Sequence, residues 1–345
     1  MIMEYIILIL LGSIIISVSL SWISIQVAPK IGLMDIPGSA KHKKHRRPIP
    51  LTGGIVLIDT LFIMLFILGY FKEDIVFIIC FTSLLIALMG LVDDFINLKP
   101  KIKFSIQLLA SVLLIVQGIQ VNIFNSPEFF LRTGTFIDNY FNYLLTILWV
   151  TTLTNAFNFI DSSDGLAVGL SGLSSAFFIF ISLNTSQDEI LILCTIILGI
   201  CIGLYFFNSY PAKLFLGDSG AQTFGFILAT IAILYNPKTG TQSSTWFVPV
   251  MIFFIPLFDL VLVIFSRIRR KKEIYKASQD HTYHRLSMRG LSIHHSVLIM
   301  HGASLIMSLI GYLCLNLNML FSNFIFLFAL LLAISVIIIL DKDFH

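Results

Sequence analysis

The sequence predicts an all-α polytopic integral membrane protein, a bundle of about eleven transmembrane helices, on three observations. Of the 345 residues, 57% are apolar or aromatic and only 12% are charged, where a soluble domain carries about 25% charge. Mean hydropathy is +0.94. The apolar residues come in long unbroken runs of roughly 20, the length a helix needs to cross a bilayer, not in the alternating segments of about ten that a β-barrel shows. A soluble globular domain is excluded. So is a disordered chain, which needs low hydrophobicity and high charge.

The runs fall near 5–27, 53–71, 75–92, 102–120, 140–158, 165–183, 189–208, 220–236, 246–266, 294–316 and 319–340. The first is too long for a signal-peptide core and has only Glu4 charged ahead of it. It reads as a first span with its N-terminus facing outward. In the ninth run Pro249 and Pro256 predict a kinked helix, because proline lacks the N–H of the helical ladder. No short-period repeat or low-complexity tract divides the chain, so residues 1–345 read as one integral membrane domain. Cys80, Cys194, Cys201 and Cys314 all lie in apolar runs without a C-x-x-C pair. They read as small core residues, not as a disulfide framework or a zinc site.

Net charge is only +3, so its placement matters more than its size. An odd number of spans puts the termini on opposite sides. On that map, 19 of the 22 Lys and Arg residues fall on the side of the 28–52 loop, and only Lys72, Arg132 and Lys238 on the other. The positive-inside rule makes the rich side cytoplasmic, with the C-terminus there.

Four polar clusters interrupt the apolar pattern, and all map to the cytoplasmic ends of spans: Leu91 to Phe104, Asn155 to Leu166, Phe215 to Gly220 and Asp280 to Leu286. Clusters from distant parts of the chain on one membrane face suggest one assembled site. Asp93 and Asp94 end the third span. Taken alone they read as solvated carboxylates, yet carboxylates at a helix C-terminus oppose its dipole and call for a cation. Lys99, Lys101 and Lys103 are within reach on the next connection. The functional reading is a divalent metal with substrate phosphate, the combination Mg²⁺ favours.

Asn155, Asn158, Asp161 and Asp164 recur every three residues. A continuing helix would set most of them on one face, suited to a ribose, an amide or a metal-bound phosphate; a hydrated helix exit is the plainer alternative. Gly217 to Gly220 precede the eighth span, where free backbone N–H groups can hold phosphate. Asp218 would then be a metal ligand, and an ordinary Asp/Ser helix cap is the alternative. His281, His284 and Arg285 lie in a basic loop of roughly 27 residues, long enough to suggest function, and both residue types bind phosphate. For Arg267 to Lys276, and for Lys41 to Arg47, contact with lipid headgroups is the simpler reading. Asp259 sits about 12 Å inside the ninth span at 1.5 Å per residue. Asp59 sits within the second span and has no assigned partner beyond an unspecified basic side chain.

Together these segments resemble the polyprenyl-phosphate N-acetylhexosamine-1-phosphate transferases, glycosyltransferase family 4. The resemblance runs from P-I-P-L-T-G-G at Pro48, through the three acidic motifs and P-L-F-D at Pro256, to H-T-Y-H-R-L at His281. It implies a ten- or eleven-helix membrane enzyme that needs Mg²⁺, with Mn²⁺ as a substitute. Such an enzyme moves a sugar phosphate from a UDP-N-acetylhexosamine to polyprenyl phosphate and releases UMP. By position, the resemblance implies catalytic roles for Asp93, Asp94, Asp161 and Asp164, and the metal-ligand role for Asp218. It implies substrate contacts from Lys103, Asn158, His281, His284 and Arg285, to which the polar face adds Asn155.

Two positions depart from the family pattern, Ser162 where Gly is usual and Tyr283 where His is usual. The H-R-L ending is similar to the N-acetylglucosamine branch and unlike the muramoyl-pentapeptide branch, which stands as the alternative. The implied setting is the bacterial inner membrane, with the site on the cytoplasmic face. The partners are the nucleotide sugar and the lipid, with no nucleic acid. Oligomeric state, a homodimer included, is left open, as are the acceptor's chain length and the pathway served. A secondary transporter is the rival of another class, but transporters centre their polar residues near the midplane between repeated halves, and no matching halves are found.

Overall fold

A computed structural model describes residues 2–37, 47–124, 135–183, 185, 187–235, 246–273, 279–342 and 344. Lys41, Lys43, Lys44, Arg46, Arg132, Lys238 and Lys276 of the charge pattern lie outside the described residues. Among those described, thirteen α-helices follow in order: α1 (Ile2–Ile31), α2 (Gly53–Leu68), α3 (Asp74–Ile96), α4 (Pro100–Val116), α5 (Thr135–Ile160), α6 (Leu166–Leu183), α7 (Asp188–Asn208), α8 (Gly217–Leu234), α9 (Phe247–Ile252), α10 (Phe254–Arg269), α11 (Thr282–Met288), α12 (Ile293–Cys314) and α13 (Met319–Lys342). A two-residue strand, β1 (Met34–Asp35), pairs antiparallel with β2 (Ile49–Pro50).

The protein is an all-helical polytopic membrane protein. Among the described residues, eight helices are long and apolar enough to cross a bilayer: α1, α3, α5, α6, α7, α8, α12 and α13. Every apolar run of the sequence folds as helix, but three of the eleven fall short of that measure. α2 is a shorter apolar helix, α4 has 17 residues, and the ninth run is split into α9 and α10. The split has a local cause. Pro256 has no N–H to offer the carbonyl of Ile252, and the chain turns at Phe253 before resuming as α10.

Around this scaffold, α8 is the most buried of the candidate spans, and α1 and α13 are the least. α8 packs against α2, α3 and α5, while α10 packs against α5, α11, α12 and α13. Large apolar side chains such as Phe66, Phe136 and Phe328 cover the outside, as expected where the surrounding solvent is hydrocarbon. All four cysteines are free and buried, as their apolar settings predict.

Candidate active site

The α3–α4 connection sets the first half of the site. Asn97 ends α3 in the left-handed conformation, its N–H donating to the Asp93 carbonyl, and Pro100 opens α4. This tight turn folds Lys103 back beside Asp93. The Lys103 Nζ donates to Asp93 Oδ2 at 2.6 Å and to Asp218 Oδ2 at 2.7 Å, so one ammonium bridges two carboxylates from α3 and α8. Asp93 is buried, and its Oδ1 accepts from the Leu98 N–H at 2.6 Å.

Asp94 faces the start of α8. Its carboxylate accepts from the Asp218 N–H at 2.7 Å, the Ser219 N–H at 3.2 Å and the Ser219 hydroxyl at 2.8 Å. The backbone donors that the sequence offered to a phosphate are therefore taken by a carboxylate of this chain, which caps α8 from a neighbouring helix. Gly217, at φ +70°, permits the approach, since a Cβ there would lie 2.5 Å from Asp94 Oδ2.

The P-L-T-G-G segment completes the seat of α8. Gly53 N–H donates to the Phe215 carbonyl at 3.0 Å, Gly54 N–H to that of Leu216 at 3.1 Å, and Phe215 N–H to that of Pro50 at 2.8 Å. A Cβ on Gly54 would stand 2.5 Å from the Gly220 nitrogen, so any larger residue would push α2 off α8.

Asn155 and Asn158 lie on the last turns of α5, but the helix stops at Ile160. Asp161 and Asp164 therefore sit in the turn that follows, not on the continuing face the spacing predicts. Gly165, at φ +74°, closes that turn, and its N–H donates to Asn208 Oδ1 at 3.1 Å. Asp164 Oδ2 accepts from the Ala212 N–H at 3.0 Å. Asn158 lies beside the Asp218 carboxylate. Asp161 is half-buried. Burial, followed by the charges of Asp218, Asp94 and Asp164, pushes its carboxyl well above the usual Asp range.

A relay of amides, missed in the sequence, runs beneath this cluster. Asn155 Nδ2 donates to Gln107 Oε1 at 2.8 Å, Gln107 Nε2 to Gln222 Oε1 at 2.8 Å, and Gln222 Nε2 to Asp218 Oδ2 at 3.1 Å. Both glutamines are buried. Gln107 follows Lys103 by four residues and Gln222 follows Asp218 by four, a spacing that puts each pair on one helix face and was the available signal.

The histidine motif folds into α11, a helix the sequence reading left as loop. His281 is its N-cap residue. The Tyr283 hydroxyl donates to the Ser162 carbonyl at 2.6 Å, which ties α11 to the Asp161–Gly165 turn. The two departures from the family pattern thus meet. Burial pushes the Tyr283 hydroxyl's pKa up. The His284 ring lies 4.0 Å from that of Tyr283, centroid to centroid.

Arg285 is buried. It donates from Nε to the Asp280 carbonyl at 2.9 Å and from Nη1 to Asp341 Oδ1 at 2.8 Å and the Leu340 carbonyl at 3.2 Å. Its guanidinium also lies over the Phe344 ring at 4.2 Å. Asp280 in turn receives Arg267 through two hydrogen bonds, of 3.0 and 2.9 Å, and Arg270 through one of 3.0 Å.

The structure thus brings Asp93, Asp94, Lys103 and Asp218 into one hydrogen-bonded cluster, with Asn155 joined through the relay and Asn158 and Asp161 near it. Asp164 is turned to the α7–α8 connection, and Arg285 is held against the end of α13. Among the described residues, no group of three or more His, Cys, Asp or Glu is arranged as a metal cage. The donor chemistry nevertheless fits a hard divalent ion. The carboxylates of Asp93 and Asp218 meet at one point, where the Lys103 ammonium already stands between them as a cation.

The sequence pattern described as "Glycosyl transferase family 4" matches residues 76–236, the stretch from α3 through α8 that carries the acidic cluster. The "Probable undecaprenyl-phosphate N-acetylglucosaminyl 1-phosphate transferase" of Bacillus subtilis (strain 168) is 31% identical over 82% of this chain and 78% of its own length. The undecaprenyl-phosphate alpha-N-acetylglucosaminyl 1-phosphate transferase of Escherichia coli O157:H7 is 26% identical over 84% of this chain and 78% of its own. A phospho-N-acetylmuramoyl-pentapeptide-transferase of Prochlorococcus marinus (strain MIT 9312) is 31% identical over a shorter reach, 61% of this chain and 63% of its own. With more than four-fifths of its length aligned to the N-acetylglucosaminyl enzymes, the chain belongs to glycosyl transferase family 4.

Proposed function

We propose that this protein transfers N-acetylglucosamine 1-phosphate from UDP-N-acetylglucosamine to a polyprenyl phosphate such as undecaprenyl phosphate, releasing UMP. The observation that carries the reading is the Lys103 bridge, which joins acidic residues 125 positions apart in the sequence (Asp93 and Asp218) into one charged centre at the helix ends. The similarity to N-acetylglucosaminyl enzymes supports the choice of sugar.

Both substrates carry phosphate, one on a lipid and one on a soluble nucleotide, so the reacting centre belongs where bilayer meets water. The charge pattern puts that boundary on the cytoplasmic side and supports eleven crossings, with α2, α4 and the α9–α10 pair as the short ones. The whole chain then works as one domain in a bacterial plasma membrane.

In the transfer, an oxygen of the lipid phosphate attacks the β-phosphorus of the nucleotide sugar. The bond from that phosphorus to the bridging oxygen breaks, and UMP departs with the electron pair. The lipid phosphate is already anionic near neutral pH, so positioning and charge neutralisation carry most of the rate, not proton removal. Asp218, with Asp93, Asn158 and Asp161, would hold a Mg²⁺ or Mn²⁺ ion, which supplies neutralisation of the diphosphate when bound. Lys103 holds Asp93 and Asp218 together and presents its own charge at the same point. Asp94 fixes the start of α8, and Asp164 fixes the turn that carries Asp161. His281 and His284 face the nucleotide diphosphate, and Arg285 sets the pose of the helix that bears them.

The test is UMP release by detergent-purified protein supplied with undecaprenyl phosphate, Mg²⁺ and a panel of UDP-sugars. Release with UDP-N-acetylglucosamine is the expected result. Release only with UDP-N-acetylmuramoyl-pentapeptide moves the protein to the other branch, and no release with any UDP-N-acetylhexosamine removes the assignment.

A further inference from the structure

Asp259 is an acid on a membrane-embedded helix that the transfer scheme above does not use. It lies on α10 and is fully buried, at 0% exposure. Such a group is expensive unless its oxygens are satisfied, and here both are. Oδ1 accepts from the Thr282 N–H at 2.7 Å and the Thr282 hydroxyl at 2.6 Å, and Oδ2 meets His281 Nδ1 at 2.8 Å. All three contacts are to the first residues of the histidine motif, so the carboxylate caps α11 and holds the ring of its N-cap residue together.

The pairing also selects a tautomer. An ionised carboxylate only accepts hydrogen bonds, so the proton on that edge of the ring belongs to Nδ1. The nitrogen left for a ligand is Nε2, and among the described residues no hydrogen bond engages it. The ring stands against Phe159 of α5, next to the turn that carries Asp161, with ring centroids 6.5 Å apart. On its other sides are Tyr283 at 6.3 Å and His284 at 6.0 Å. The charged group nearest across Phe159 is Arg267, whose guanidinium lies 5.6 Å over that ring and is committed to Asp280.

We infer that Asp259 is a positioning residue that acts through His281: it orients the ring by accepting from Nδ1–H, so that the ring meeting the nucleotide-sugar phosphates is an imidazolium that donates Nε2–H to a phosphate oxygen. A carboxylate behind one ring nitrogen also supports positive charge on a ring whose other N–H is bound to a phosphate oxygen. The inference rests on the phosphate-transfer reading for the ligand, but the geometry of the pair stands apart from it. Asp259→Asn keeps the shape but turns an amide N–H toward Nδ1, which makes that nitrogen an acceptor and removes the carboxylate that supports the ring's positive charge.

Two measurements decide the matter. In UMP-release assays, kcat/KM for UDP-N-acetylglucosamine falls about tenfold or more in D259N, mostly through KM. In the His281→Asn background the same substitution costs no further loss beyond about twofold, because residues acting through one another do not add. Losses that multiply in the double variant overturn the inference, since a merely structural acid would behave that way. The second measurement is ¹⁵N-histidine NMR of the wild-type protein, with the His281 signal assigned by its loss in H281N. A proton on Nδ1 is expected, and a neutral ring protonated on Nε2 alone overturns the inference, whether or not D259N folds. If the wild type releases no UMP at all, the transferase reading fails while the NMR result still judges the pair.

Discussion

Two ionic clusters lie on different sets of helices, and they differ in how their charges close. Around α10, α11 and the end of α13, Arg267 and Arg270 share Asp280, Arg269 and Arg285 share Asp341, and His281 faces Asp259. Around α3, α4 and α8, a single ammonium serves Asp93 and Asp218, and Asp161 feels only burial and other aspartates. The first cluster gives every acid a basic partner, with four arginines and a histidine to three aspartates, and holds structure together. The second carries surplus negative charge that the protein alone does not neutralise, which is the electrostatic condition of a cation site. Function concentrates where the books of charge are left open.

The sharpest way to break this contrast is Asp218→Asn. Removing the carboxylate that accepts from Lys103 and Gln222 is expected to lower UMP release by about a thousandfold, on the scale of losing a main electrostatic group. The protein should still elute as a folded species, and near-normal turnover would refute a metal-ligand role. Next in size is Asp341→Asn, which strands two arginines in the first cluster, Arg285 being buried. Breaking a buried pair costs about 3 kcal/mol. A lowered thermal midpoint with a rise in KM for the nucleotide sugar is expected, since α11 loses its seat.

Asp161→Asn should act in the opposite direction on stability. The unfolded chain releases this proton in the usual Asp range, whereas the folded chain holds it to higher pH. Between those limits the folded state binds more protons, so stability falls as pH rises. Replacing Asp161 by Asn deletes that slope. Thermal unfolding of the metal-free protein is expected to show the variant gaining on the wild type as pH increases, while UMP release drops. The smallest effect is expected from Tyr283→Phe, which removes only the hydrogen bond to Ser162. That bond is worth about 1 kcal/mol, read as a change of roughly fivefold or less in kcat/KM.

Much of the helical frame was legible because long apolar runs have few other ways to satisfy their backbone in lipid. That Asp93, Lys103 and Asp218 meet was legible from the one side on which the expected span map sets their segments. What hydropathy does not carry is lateral pairing. Nothing in the run near Asp94 says that its carboxylate caps α8. The sequence places Asp341 in a helix end that looks ready for water, yet it is buried against Arg285. Gln107 and Gln222 carried only the four-residue spacing from Lys103 and Asp218, which does not say which helix each will face. The break between α9 and α10 was half visible, because Pro256 signals a kink but not its place at Phe253. α11 escaped because seven residues are too few for a periodic signal.

The two clusters also hang from helices that meet the surroundings differently. Asp218 rides on α8, the span most enclosed by protein, while Arg285 and Arg269 are moored to α13, one of the two spans most open to lipid. Stretching or thinning of the bilayer tilts exposed spans first. Lipid composition therefore bears on the grip of α11 before it reaches the acidic centre, and it should move affinity for the nucleotide sugar more than the rate of the transfer itself.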